Sequence, residues 1–263
     1  DGRPAVLIPF GKVQAQGNDF VMLQLLHTWN TSLPLDALAR DICDRRTGVG
    51  ADGLVLLLAD DEADSRMLIY NSDGSHALMC GSALRCCASL LNRLTGKTEL
   101  LIATDSGLKS ATVQERQISV NLGKPVLKEK DLSLEGVTGS VVEVGNLHFV
   151  SIQNRLEDQE LEIGPRLESH SHFQEGVNVE FVRVISCLEI EMKVWERGAE
   201  ATQACGTGAV ASVFTGIGKG LLDNEVWVKM PGGEVCITRL ENGEFLLAGT
   251  VEHTFSGVYQ WRI

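Results

Sequence analysis

The sequence predicts an α+β protein of two homologous, pseudo-symmetric halves, each a strand-rich unit wrapped around one principal helix. Two observations predict it. The stretches "LMCGSALRCC" (78–87) and "QACGTGAVAS" (203–212) each set a cysteine, a glycine and a small hydroxyl residue ahead of an apolar run at helical spacing. The glycines, strand-like runs and polar residues around Cys80 and Cys205 also recur at nearly equal offsets from the two cysteines. Gly-Ser and Gly-Thr turns that recurred by chance would not keep those offsets. Two such halves facing one another would bring both cysteines to one cleft.

In the first half, "QGNDFV" from Gln16 leads into a strand, and "SRMLIY" forms another just before Asn71. After Cys80, the residues Leu84, Cys87, Ala88 and Leu91 fall on one helical stripe, and Gly96 ends the helix. The strand "LLIAT" precedes Gly107, and Gly123 closes "QISVNLG". In the second half, "VGNLHFV" from Val144 takes the place of "QGNDFV". Leu188, Ile190, Met192 and Val194 alternate at period two in "LEIEMKVW", up to Glu196. Glu196 stands as far before Cys205 as Asn71 does before Cys80. Val210, Val213, Phe214 and Ile217 make the second helical stripe, which stops at Gly218 or Gly220. Then "VWVKM" leads to Gly232, and "EFLLAG" closes on Gly249.

Composition narrows the function. The chain has 263 residues, 44% hydrophobic and 22% charged, which is ordinary for a globular protein of two domains. No run reaches the roughly 18–20 apolar residues of a membrane span. The net charge of −12 argues against a general nucleic-acid binder. The seven cysteines are spread along the chain, so neither a disulfide framework nor zinc-ligand spacing is expected. A reducing, cytoplasmic compartment and no metal are the expectation. "DGRPAVLIPF" does not read as a secretory signal, and Asp1 in the initiator's place is read as processing or trimming.

A helix N-terminus carries unpaired N–H groups and a partial positive charge. It stabilises a thiolate and binds a carboxylate. Two opposed helix starts would grip one carboxylate with a sulfur on either side of the adjacent carbon, the geometry of two-base racemisation. One thiolate removes the α-proton, the opposite thiol delivers another, and the N–H dipoles stabilise the enolate-like charge. Other readings stand beside this one. Cys43, Cys86, Cys87, Cys187 and Cys236 are read as packing. The pair would also suit a redox dithiol, though C-x-x-C is absent. A cysteine nucleophile with His148 or His170 as base is a third option, without a local signature.

The segments "KVQAQGNDFVML", "DRRTGVGADGLVLL", "YNSDGSHALMCGSALRC", "GNLHFVSI", "GVNVEFVRV", "VWERGAEATQACGTGAVAS" and "VKMPGGEVCIT" resemble those of the diaminopimelate epimerase family, in the family's order, from about Phe10 to the C-terminus. The resemblance implies the fold of the pyridoxal-phosphate-independent amino-acid racemases: two pseudo-symmetric domains, each a β-barrel-like sheet around a central helix, with the active site in the cleft between them. It implies domains at 1–127, joined by a returning strand at about 256–263, and at 128–255. It also implies a cofactor-independent enzyme with a small-molecule amino-acid substrate, acting as a homodimer.

Carried over by residue, the resemblance makes Cys80 and Cys205 the acid–base pair. Gly81, Ser82, Gly206 and Thr207 sit at the helix starts that hold the carboxylate. Asn18, Asn71, Asn146, Asn178, Glu196 and Arg197 form the polar set around the substrate. Amides add donors and acceptors without charge, which suits a zwitterion, and Arg197 offers a planar fork to a distant carboxylate. Asn18 and Asn71 also lie in turn-like contexts, where capping of backbone is the plainer role.

Three stretches depart from the family's usual residues. Cys-Gly-Asn-Gly has become Cys80-Gly81-Ser82-Ala83, Gly-Asn-Pro-His has become Gly145-Asn146-Leu147-His148, and Gly-Glu-Thr has become Glu200-Ala201-Thr202. The implied reaction is the interconversion of LL- and meso-diaminopimelate, a step toward lysine and peptidoglycan precursors. A racemase of the same fold with another amino-acid substrate is the alternative, and a binding relative without catalysis is a further one. Retention of both cysteines speaks against the last.

Overall fold

In "SRMLIYN" the alternate residues Ser65, Met67 and Ile69 are buried, while the residues between them are partly exposed. That is the period-two mark of a strand with one face on a core. The same logic builds most of the molecule. The computed structural model describes residues 5–25, 33–156, 159–198 and 200–262. The chain divides into two units: Asp1–Val120 with Thr250–Ile263, and Asn121–Gly249.

The first unit runs through β1 (Ala5–Ala15), β2 (Asn18–Leu25), α1 (Leu35–Cys43), β3 (Gly53–Leu58), β4 (Ser65–Asn71), β5 (His76–Ala77), α2 (Gly81–Thr95), β6 (Glu99–Thr104), β7 (Gly107–Gln114) and β8 (Gln117–Asn121). Gln16 and Gly17 both adopt positive φ, 50° and 80°, and close the β1–β2 hairpin in two residues. Strands β2 and β3 pair in parallel across α1, from Phe20↔Gly53 to Leu25↔Leu58. Strands β4 and β6 pair in parallel across α2. The remaining neighbours are antiparallel.

The second unit repeats this plan with β9 (Val126–Leu134), β10 (Val137–Glu143), β11 (Leu147–Gln153), α3 (Gln159–Glu168), β12 (Asn178–Ser186), β13 (Glu189–Glu196), β14 (Glu200–Thr202), α4 (Gly206–Gly218), β15 (Glu225–Met230), β16 (Gly233–Arg239) and β17 (Phe245–Thr250). Its parallel pairs are β11 with β12, starting at His148↔Asn178, and β13 with β15. The chain's last strand, β18 (Glu252–Arg262), pairs with β1 from Ala5↔Arg262 to Gln14↔Glu252. Strand β9 pairs with β10 in the same antiparallel sense. Trp261 joins the core between α1 and the sheet, and its Nε1 donates to Asp41 Oδ2 at 2.7 Å.

Each principal helix is enclosed by its own sheet. Helix α2 packs on β1, β4, β6 and β7, and α4 on β10, β11, β12 and β16. Strands so far apart in a sheet reach one helix only if the sheet curls around it. Burial therefore extends round the helices rather than along one stripe. Every residue from Gly81 to Ala88 is buried, Ser82 and Arg85 included, and Ser212 and Thr215 are buried in α4. Gly96 ends α2 at φ 73°, its N–H donating to the Asn92 carbonyl. Among the described residues, no helix is long and apolar enough to cross a membrane.

Candidate active site

Cys80 is the N-cap of α2, extended at φ −145°, and its carbonyl accepts the first helical hydrogen bond from Leu84 N at 2.9 Å. Gly81 and Ser82 follow, with first-turn N–H groups that precede any intrahelical acceptor. Cys80 is half-buried, and Asn18 Nδ2 stands 3.9 Å from its Sγ. Asn71 is exposed, and its Nδ2 donates to Ser75 Oγ in the β4–β5 turn at 2.9 Å. The Ser82 hydroxyl is buried and accepts from the Arg85 guanidinium at 3.4 Å. Deeper in the helix, burial pushes the Cys86 thiol up to about 12 and the Cys87 thiol well above its usual range, so both stay protonated.

Cys205 is likewise the N-cap of α4, at φ −134°, with its carbonyl accepting from Ala209 N at 3.0 Å. Gly206 and Thr207 open the helix. The Cys205 sulfur accepts from Gly208 N at 3.4 Å and lies 3.6 Å from Thr207 Oγ1. Burial, then the Glu196 and Glu180 carboxylates, push this thiol well above its usual range. Burial also raises the Glu196 carboxyl, against hydrogen bonds from Thr202 and Cys205 that lower it.

The polar set of the second unit is tightly connected. His148 Nδ1 lies 2.6 Å from Glu180 Oε1, and its Nε2 lies 2.8 Å from Asn146 Oδ1. Asn178 bridges two segments: its Nδ2 donates to the Leu147 carbonyl at 3.2 Å, and its Oδ1 accepts from Arg197 N at 2.9 Å. Arg197 is exposed, with NH1 donating to the Glu175 carbonyl at 2.8 Å. Asn178 thus orients the turn that presents Arg197.

His148, Glu180 and Cys205 place one ligand atom each within 4.8 Å of one another, a donor set suited to a borderline-soft divalent cation. Both nitrogens of His148 are already engaged by Glu180 and Asn146, so a cation would have to displace one of these bonds.

Two site residues escape sequence reasoning. Glu180 sits at the third position of β12, where all five residues from Asn178 to Val182 are buried, so no alternation marks its side. Arg85 reads as a helix-surface arginine, and the cue is the absence of polar neighbours in "ALRCC". His148 was legible as a possible base, but its carboxylate partner was not.

The diaminopimelate epimerase family model matches residues 10–128 and 140–254. The chain belongs to the diaminopimelate epimerase family. It is 39% identical over 270 residues to the diaminopimelate epimerase of Carboxydothermus hydrogenoformans, covering 95% of this chain and 98% of the relative. The match to the enzyme of Desulforudis audaxviator is 39% over 274 residues, covering 94% and 98%. In structure, the fold matches a hydroxyproline epimerase from Agrobacterium vitis with a TM-score of 0.74 at 14% identity, covering 98% of this chain and 93% of that one. A probable proline racemase from Agrobacterium radiobacter matches with a TM-score of 0.72 at 14% identity, covering 95% and 92%. The two-domain, pseudo-symmetric α+β architecture of the family member is therefore that of the epimerase–racemase fold, and its class is that of an isomerase.

Proposed function

We propose that this epimerase-family chain interconverts LL- and meso-diaminopimelate by cofactor-independent two-base chemistry, with Cys80 and Cys205 as the acid–base pair. The observation that carries the reading is the duplication: each unit presents a cysteine as N-cap of its principal helix, followed by glycine and a small hydroxyl residue. Epimerisation needs a proton acceptor on one face of the α-carbon and a donor on the other.

With Cys80 as thiolate, its sulfur takes the α-proton and becomes a thiol. The electron pair left behind is delocalised into the α-carboxylate, where the helix-start N–H groups stabilise it. Cys205 then gives its proton to the opposite face and is left as thiolate, and the reverse reaction exchanges the roles. Asn18, Asn71, Asn146, Asn178, Glu196 and Arg197 complete the reading as the polar set, Arg197 being suited to the distal carboxylate. Lysine and peptidoglycan precursor supply, a cytoplasmic location and a homodimer belong to the same reading.

The deciding experiment is incubation in D2O with diaminopimelate and no added cofactor. Deuterium enters the α-position in the parent protein and is lost in Cys80→Ser and Cys205→Ser. Absence of exchange with any amino acid in a panel would sink the reading. Ser82 and Ala83 support a second one, a racemase of the same fold for another amino acid, since they remove an amide that the family usually places beside the substrate. Exchange confined to a different amino acid would establish that alternative.

A further inference from the structure

Arg85 is 1% exposed, and its guanidinium meets only neutral acceptors. NH1 donates to Gln16 Oε1 at 2.7 Å and more weakly to the Thr250 carbonyl at 3.5 Å. NH2 donates to Ser82 Oγ at 3.4 Å, and among the described residues Nε has no acceptor. Among the described residues, no carboxylate pairs with it. A buried cation without a counter-charge is costly, so a fold that keeps one has an anion for it to face. Gln16 holds a left-handed backbone, φ 50°, while it accepts this bond.

Arg85 lies five residues into the helix that Cys80 caps, its NH2 reaches Ser82 two residues after Cys80, and among the described residues the Cys86 and Cys80 thiols act on its charge. Cys86 is fully buried and remains a thiol. Cys80 is half-buried and caps the positive end of α2, where a thiolate is already favoured. The charged groups on β1, β4 and β6, and Glu252 of β18, have partners of their own. Lys12 pairs with Asp19, Arg66 with Asp105, Glu99 accepts from Thr112, and Glu252 accepts from Gln14. His253 meets Ser89 Oγ at 3.2 Å. Lys109, on the core-facing side of β7 by strand alternation, adds charge of the same sign as Arg85.

The second unit reverses this polarity position by position. The helix residue equivalent to Arg85 is Val210, counted from the two cysteines. By strand register, Phe20 and Val55 of the first unit stand where His148 and Glu180 stand in the second. One helix start is therefore backed by a buried cation, the other by buried carboxylates.

We propose that Arg85 is a positioning residue that holds Cys80 as its thiolate in the resting protein. The proposal rests on the epimerase reading for its catalytic meaning. It makes the two cysteines inequivalent: the resting protein takes first the stereoisomer whose α-proton is presented to Cys80.

The test is carbamidomethylation of the full chain by iodoacetamide over a pH series, without substrate, with Cys80 resolved by peptide mass spectrometry. Three variants are compared with the parent: Arg85→Met, Arg85→Lys and Gln16→Glu. Gln16→Glu keeps the acceptor beside NH1 and adds the missing counter-charge, so a merely structural role for Arg85 would be preserved in it. The expected result is a fall in the Cys80 rate at neutral pH on the order of tenfold, with the profile moved to higher pH, in Arg85→Met and Gln16→Glu. Arg85→Lys retains most of the parent rate. Should Arg85→Met fail to fold, Gln16→Glu decides. A folded Gln16→Glu protein whose Cys80 keeps the parent pH profile would overturn the proposal. Alkylation needs no turnover, so this outcome is separate from failure of the exchange experiment in D2O.

Discussion

His148 and Glu180 form a fully buried pair in the second unit, with Nδ1 2.6 Å from Oε1 and no exposed side-chain surface on either partner. Glu180 also lies against the Cys205 thiol and helps to hold its proton in place. Among the described residues Glu180 Oε2 has no hydrogen-bond partner, so the pair depends on its single short contact.

Removing the carboxylate alone leaves His148 Nδ1 buried without a partner. Glu180→Ala is expected to destabilise the protein by about 3–5 kcal/mol, the usual cost of breaking a buried pair from one side. Glu180→Gln keeps shape and a hydrogen bond and loses less. Urea unfolding followed by circular dichroism measures both. A loss below about 1 kcal/mol in the alanine variant would show that the pair does not hold this core together.

Gly208 is tied to the same carboxylate. A Cβ there would lie 2.5 Å from Glu180 Oε1, closer than real Cβ contacts allow, and a tight 3.0 Å from its Cδ. The equivalent position in the first unit is Ala83, whose methyl is fully buried, and the residue opposite is Val55 rather than a glutamate. Gly208→Ala is therefore expected to cost about 1–3 kcal/mol by overpacking, despite the roughly 1 kcal/mol by which alanine favours a helix. In a Glu180→Ala background that cost disappears. A double-mutant cycle in urea reads the difference directly, and additive losses would refute the steric account.

Acid stability should depend on Asp19. Burial alone would raise its carboxyl, but hydrogen bonds from Arg45 and Lys12 outweigh this and hold it at about 2. Lys12 Nζ lies 2.7 Å from Oδ2, and Arg45 NH2 lies 2.7 Å from Oδ1. A carboxyl whose folded value is depressed stabilises the fold above its unfolded value, and that contribution is lost as pH falls through the folded one. Arg45 is more than half exposed, so solvent screening limits the effect to about 1–2 kcal/mol. Asp19→Asn should be less stable than the parent by that amount at neutral pH. The gap should close between about pH 4 and pH 2. Unfolding curves at several pH values check it, and a gap unchanged down to the acid limit would rule the linkage out.

The duplication was legible because its markers are backbone markers. Cys-Gly-Ser and Cys-Gly-Thr open helices, and Gly96 supplies the positive φ that ends one. Such requirements are local and survive in one sequence. The charges behind the cysteines were not legible, since they depend on what a curled sheet encloses. Arg85 lies in the first turns of a helix, buried on all sides there, and Glu180 in the first half of a strand, buried on both faces there, so neither 3.6 nor 2.0 periodicity sorts them from solvent-facing residues. The reading of one buried stripe per helix failed for the same reason. The departure at Ser82 and Ala83 was visible, but the direction of the serine hydroxyl was not.

That direction carries its own prediction. Ser82 is 2% exposed, and its Oγ is taken by the Arg85 guanidinium, although its backbone N–H still belongs to the helix start. If the hydroxyl faces inward during turnover, Ser82→Ala should leave KM for the amino acid within about threefold of the parent, since no substrate contact is lost. Stability should fall by about 1 kcal/mol, because a buried guanidinium loses one of its few acceptors. A side chain that contacted the substrate would show the opposite pattern, with KM raised about fivefold or more and stability nearly unchanged. Steady-state kinetics and urea unfolding on the same preparation separate the two. A raised KM with unchanged stability would return Ser82 to the substrate-binding set, with the hydroxyl and not only the backbone holding the carboxylate.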